Sequence, residues 1–222
     1  MKKHMKQQIL FILILLNCTV AYSQTFEGWI TYRKDFLNPN PKMFADSLWK
    51  KTIMKKYGER GYILQKNFYK RGKYSSEIDA VTENGFQVFN QNDKLLYAWK
   101  ANSDTVVTIN TKKSMYDLIE ISSNTALDTI LNIPCKSIIV KTALGQTIIW
   151  YNNEILKVDA KLYKGHKYGH WEQILAKIGC LPLKIEENGY IIQTAIEYKE
   201  EQVDENKFVI PKFKTKIENP FN

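Results

Sequence analysis

Outside its N-terminal segment, the residues of this chain best suited to chemistry are two cysteines, Cys135 and Cys180, and two histidines, His166 and His170. The cysteines lie far apart in sequence and form no Cys-x-x-Cys motif, which argues against redox catalysis. In an oxidising compartment an even pair suggests a disulfide. Such a bond would close a loop of about 45 residues and contribute roughly 4 kcal/mol in the chain-entropy model. Two buried free thiols are the alternative, and geometry alone separates the two. The histidines are four positions apart, a spacing that puts two imidazoles on one helix face and could hold a metal. Gly169 interrupts that helix, however, and Lys167 stands where a zincin motif carries Glu. The default expectation is therefore exposed loop histidines and no metal.

Other constellations exclude more than they suggest. There is no Gly-x-Ser-x-Gly elbow, no glycine-rich phosphate loop and no dinucleotide fingerprint. The paired carboxylates Glu186-Glu187 and Glu200-Glu201 are adjacent, so on strands they point to opposite faces and cannot share acid–base work. The reading is a protein without catalytic residues or cofactor. The chain has 13 tyrosines, 10 phenylalanines and 5 tryptophans, enough to line a wide apolar interior. Trp29, Phe44, Leu48, Phe68, Trp150 and Trp171 are the candidates for a ligand cavity or its cap, with ordinary core as the alternative for each. Lysines interleaved with aromatics between residues 62 and 74 resemble a single-strand nucleic-acid platform. The leader described next argues against a nucleic-acid partner.

The elements that must position these residues begin after a leader. Lys2, Lys3 and Lys6 precede the apolar run from Ile9 to Leu16, and Ala21-Tyr22-Ser23 offers small residues to a signal peptidase. Together they predict a signal peptide over residues 1–23, cleaved between Ser23 and Gln24, and a single domain over 24–222 in the periplasm or secreted. Cys18 follows the apolar run as in a bacterial lipobox, but Asn17 stands where that motif has Gly, Ala or Ser, which argues against lipid anchoring. No later apolar run reaches membrane-spanning length. Loss of the three leader lysines reduces the formal charge from +9 to +6, a value that mainly supports solubility. Lysines 50, 51, 55 and 56 and basic residues 66, 70, 71 and 73 could face anionic headgroups or a polyanion, with solvated helix and hairpin faces as the plainer reading.

Past the leader the rhythm is period two. Phe26, Gly28, Ile30 and Tyr32 share one face of a strand, and Ile192, Thr194, Ile196 and Tyr198 share one face of another. Similar runs fall at 62–70, 73–79, 86–90, 94–99, 104–110, 114–121, 127–133, 135–142, 146–151, 154–162 and 182–187. Arg71-Gly72, Asn84-Gly85, Asn92-Asp93, Leu144-Gly145 and Asn188-Gly189 supply turns. Helices are expected over 43–57, where Phe44, Leu48, Ile53 and Tyr57 recur and Gly58 stops the run, and over 169–178, where Trp171, Ile174, Leu175 and Ile178 share a side before Gly179 and Pro182. These elements predict a mainly β fold with two helices: a curved antiparallel sheet or open half-barrel of about eleven strands, with the helices covering its concave face.

Four short motifs occur in order: Phe26-Glu27-Gly28-Trp29-Ile30-Thr31-Tyr32, Ile133-Pro134-Cys135-Lys136, Trp150-Tyr151-Asn152-Asn153-Glu154-Ile155 and Leu181-Pro182-Leu183-Lys184-Ile185. In these the chain resembles a group of exported bacterial proteins related to the GLPGLI family, whose fold is like that of the periplasmic lipoprotein carriers. It departs from the family's signature, having Gly179-Cys180-Leu181-Pro182-Leu183-Lys184-Ile185 in place of Gly-Leu-Pro-Gly-Leu-Ile. The resemblance implies a half-barrel whose concavity takes acyl chains, and no catalytic residues. The expected function is binding of a hydrophobic small molecule or lipid. The alternative is an envelope protein–protein interaction domain with a filled core.

Overall fold

The computed structural model describes residues 25–81 and 84–220; the leader, with Cys18, Ser23 and Gln24, lies outside the described residues. Twelve strands form one open sheet. In chain order they are β1 (Gly28–Phe36), β2 (Ile63–Lys70), β3 (Lys73–Asp79), β4 (Gly85–Asn90), β5 (Leu95–Lys100), β6 (Thr105–Asn110), β7 (Leu118–Ile130), β8 (Ile133–Thr142), β9 (Gly145–Tyr151), β10 (Lys184–Glu187), β11 (Ile191–Glu200) and β12 (Thr215–Glu218). Helix α1 (Asp46–Tyr57) joins β1 to β2, and α2 (Trp171–Ile178) lies between β9 and β10. In space the strands run β12-β6-β5-β4-β3-β2-β1-β11-β10-β9-β8-β7. Eleven of them pair antiparallel, as the turn-separated runs predict, while β12 returns parallel to β6.

The sheet curls at its β7 end. Strands β10 and β7 are separated by β9 and β8, about 14 Å if flat, yet Lys184 Nζ and Asp128 Oδ2 meet at 2.9 Å. The bend falls where β7 breaks register against β8 between Asn124 and Asp128, and Ser137 Oγ donates to the Ala126 carbonyl there at 2.6 Å. The runs read as separate strands over 114–121 and 127–133 are thus mostly one long, bulged strand. Inward-facing Ile30, Tyr32 and Tyr69 join Trp150, Leu175 and Leu183 in the main core. Tyr32 satisfies its buried hydroxyl by donating to the Pro182 carbonyl at 2.7 Å.

Two further differences from the sequence reading shape the interior. Residues 154–162 form turns and a short 3-10 helix (Ala160–Tyr163), because Asp159 caps it by accepting from the Lys161 backbone and the strand-like ladder is limited to one bridge, Lys157 to Cys180. This segment drops Leu156 and Tyr163 into the core. It also crosses close above the β2–β3 turn, where Arg71 and Gly72 have φ of 46° and 78°; a Cβ on Gly72 would stand 2.7 Å from Leu162 Cβ. The residues after β11 run across the opposite, outer face of the sheet. There Lys70 donates to the Val203 carbonyl at 2.7 Å, Lys207 pairs with Glu77, and Phe213 packs against Trp99 before β12 begins.

Candidate functional site: a cleft under the second helix

Helix α2 is short but strongly one-sided. Ile174, Leu175 and Ile178 are buried, and Gly179 ends the helix in the left-handed conformation with its N–H returned to the Leu175 carbonyl. The buried stripe rests on Ile138, Val140 and Ile149, which β8 and β9 present on one face. Toward the open end of the strands, helix and sheet part and leave a cleft of about 360 Å³. Its floor is Val140, Ile149 and Ile185, its roof is Trp171 and Ile174, and Met115 and Leu144 stand at its sides. Ser114, Thr142, Thr147, His170, Glu187 and Asn188 add polar groups to this lining, and the volume lies at the lower end of the small-ligand range.

Polar groups gather at one edge. His170 begins α2 at φ 60° and is buried; its Nε2 lies 3.2 Å from Ser114 Oγ, which donates to the Tyr116 carbonyl at 2.8 Å. Burial lowers the His170 pKa below the ordinary imidazole value, opposed by a hydrogen bond to the Tyr116 backbone and by the Asp117 carboxylate. The imidazole is thus a neutral group near a mostly apolar chamber, with Glu187 and Asn188 on the opposite rim. A larger recess, about 730 Å³, lies along Leu127–Thr129, Pro134–Lys136 and Tyr151–Glu154. It is open, and Asp128, Lys136 and Glu154 line it, so it shields an apolar chain poorly.

Of the expected ligand residues, Trp171 alone lines the α2 cleft. Trp29 and Phe68 pair across β1 and β2 but point to the outer face, where Lys66 Nζ sits 3.5 Å from the Trp29 ring centroid and Lys207 Nζ 4.6 Å from that of Phe68. Trp150 belongs to the main core, its ring covered by Lys184 Nζ at 4.3 Å. Phe44 and Leu48 are exposed on and before α1. Val140, Ile149, Ile174 and Ile185, not named as ligand residues from the sequence, supply most of its apolar floor and roof. Their signal was the coincidence of an alternating pair of strands with an apolar helix stripe, which does not itself reveal a gap.

The histidines are a correction: both are buried, not exposed. His166 is 1% exposed and wedged between the rings of Tyr74 and Phe89, with neither ring nitrogen hydrogen-bonded. The loop that carries it is drawn down because the backbone N–H groups of Lys167 and Tyr168 both donate to the Thr111 carbonyl. Among the described residues no group of three or more His, Cys, Asp or Glu side chains could hold a metal ion. The cysteines are a second correction, since the pair expected as a disulfide is present as two buried thiols. They sit in separate apolar clusters, Cys135 with Ile130 and Trp150, and Cys180 with Ile138 and Ile178. Burial raises Cys135 and pushes Cys180 up to about 12, which makes both poor nucleophiles.

No protein-family model matches this chain, and no curated protein matches it in sequence. Among solved structures it is similar to PNGF-II in its P21 crystal form, at TM-score 0.47 and 14% identity over 88% of this chain and 32% of that one. It therefore spans about a third of the length of PNGF-II. An uncharacterised conserved protein from Thermus thermophilus is similar at TM-score 0.49 and 9% identity, over 90% of this chain and 94% of its own. No function follows from likenesses of this size. No helix among the described residues is long and apolar enough to cross a membrane.

Proposed function

We propose that this is an exported, non-catalytic domain that binds a hydrophobic ligand, an acyl chain above all, in the cleft under α2. The observation that carries the reading is the chamber itself: an apolar floor and roof from Val140, Ile149, Ile185, Trp171 and Ile174, with Ser114, Thr142, Thr147, His170, Glu187 and Asn188 supplying hydrogen-bonding groups. Burial alone supplies affinity there, at about 0.8 kcal/mol per CH₂. Neutral His170 and Ser114 at the rim can meet a polar head without placing a charge beside the chain. The resemblance to the exported lipoprotein-carrier-like proteins and the leader at residues 1–23 support the same reading. The test is native mass spectrometry of the protein purified after export, before and after organic extraction, followed by titration with a fluorescent fatty acid. A mass excess that solvent releases, together with loss of titratable binding in Ile149→Trp, which fills the chamber, is expected. Absence of both bound and bindable lipid would overturn the proposal.

A second reading, an envelope interaction domain with a filled core, is favoured by one observation. The long edge strand β7 exposes Ile119 and Leu127, at 67% and 78%, with no strand beyond it among the described residues. Cross-linking that maps to β7, in a protein that binds no lipid, would favour this reading.

A further inference from the structure

Helix α1 has two unlike sides. Trp49, Ile53 and Tyr57 recur at four-residue spacing on the inner side, where Tyr57 stacks on Phe36 at 4.8 Å and Trp49 Nε1 donates to the Phe36 carbonyl at 2.9 Å. On the outer side Leu48, Lys51 and Lys55, at i, i+3 and i+7, are all exposed. Leu48 is 56% exposed, and Met43 and Phe44, just ahead of the helix, are 74% and 46% exposed. Residues 42–57 carry five lysines and one acid, Asp46, which accepts a hydrogen bond from Asn38.

Several lysines elsewhere on the surface are neutralised. Lys70 pairs with Glu27 and Glu205, Lys184 with Asp128, Lys199 with Glu201 and Lys207 with Glu77. Among the described residues, Lys42, Lys50, Lys51 and Lys55 have no acidic partner. At these four lysines the segment presents a cluster of positive charge without an ion-pair partner among the described residues, interleaved with exposed apolar side chains.

The mixture selects the kind of partner. A protein groove that captures a helix reads a continuous apolar stripe, and Leu48 stands alone among lysines on the outer side of α1. A dissolved polyanion would take the lysines and leave Met43, Phe44 and Leu48 in water. A bilayer with anionic headgroups satisfies both sets, holding the ammonium groups at the phosphates while the short apolar side chains enter the headgroup–acyl boundary. We propose that α1 and residues 42–45 ahead of it are a docking surface for anionic lipid bilayers. This surface is separate from the α2 cleft and does not depend on a ligand there.

The test is flotation of the full protein, stripped of extractable lipid, with vesicles of phosphatidylglycerol and phosphatidylcholine in equal parts and with vesicles of phosphatidylcholine alone. Binding is expected to the anionic vesicles only and to fade between about 0.05 and 0.5 M salt. Lys51→Glu/Lys55→Glu should weaken it more than tenfold, given about fivefold for each lysine lost near such a surface. Phe44→Ala/Leu48→Ala should weaken it severalfold and leave its salt dependence intact. Lys112→Glu/Lys113→Glu, exposed on the turn after β6, should bind as the parent does. Circular dichroism melts of each variant confirm that the fold is kept. Equal binding to both vesicle types, indifference to the Lys51 and Lys55 changes, or heparin binding that survives Phe44→Ala/Leu48→Ala while vesicle binding is absent would each overturn the proposal.

Discussion

The two helices were inserted into the same sheet under the same rule and reached opposite ends. Helix α2 has eight residues, and three of them are buried against the sheet; α1 has twelve, and Tyr57 alone is buried. What separates them is the angular concentration of apolar side chains, not their number or the helix length. Ile174, Leu175 and Ile178 fall on one side, so docking buries all three together. In α1, Leu48 lies opposite Trp49, Ile53 and Tyr57, and lysines occupy the ground between, so no orientation buries them all. A helix like α2 serves as a structural lid, whereas one like α1 is held at its inner side and leaves its outer side available.

Substitution should widen this contrast in a definite order. Leu175→Ala, at a residue 1% exposed, is expected to reduce unfolding free energy by about 2–5 kcal/mol in urea denaturation. An unchanged midpoint would mean that α2 is not part of the cooperative core. Next comes the loop that leads into α2. Burial first, then the nearby Lys94 charge, lowers the His166 pKa to about 4. Above pH 6.5 the imidazole is neutral in both folded and unfolded chains, and its contribution is fully present. Between 6.5 and 4 the unfolded chain gains a proton that the folded chain refuses, so stability should fall by up to about 1.4 kcal/mol per pH unit, and below 4 the loss is complete. His166→Phe should flatten that part of the pH–stability curve relative to the parent, and parallel curves would refute the assignment. The smallest effect belongs to α1, where Leu48→Ala should stay within about 0.5 kcal/mol of the parent in the same denaturation.

The contrast also marks what could be read in advance. Strand alternation was legible because one face of each strand is buried: Ile30 and Tyr32 in β1 point inward and their neighbours do not. Arg71-Gly72 was legible as a turn because left-handed φ at both residues is a local demand. Strand β12 was not, since all four of its residues are exposed and no alternation is imposed on Thr215–Glu218. The segment over 154–162 has strand-like apolar spacing, but its side chains are used one by one to plug the core from a coiled path. The candidate site was half legible. Trp171 and the α2 stripe stood out, yet the gap between helix and sheet depends on how far α2 stands from Val140 and Ile185, a distance no local pattern encodes. His166 was read as exposed because histidine in a loop usually is, and its burial follows from the carbonyl of Thr111, some fifty residues earlier in the chain, anchoring the loop.

The placement of β1 fixes when this domain can finish folding. Its two neighbours in the sheet are β2, next along the chain, and β11, and the contact from Trp29 to Glu201 spans 172 residues. Strands β1 to β6 can assemble in sequence as a meander, but that half keeps β1 as a bare edge, with Ile30 and Tyr32 uncovered, until the last quarter of the chain arrives. Closure then joins both halves in one late step, and β12 completes the other edge by pairing with β6 across a separation of 109 residues. A fold dominated by such distant pairings forms slowly and exposes adhesive strand edges while it waits. An unfinished chain is therefore vulnerable at its first strand, the element that the finished molecule holds at the centre of its sheet.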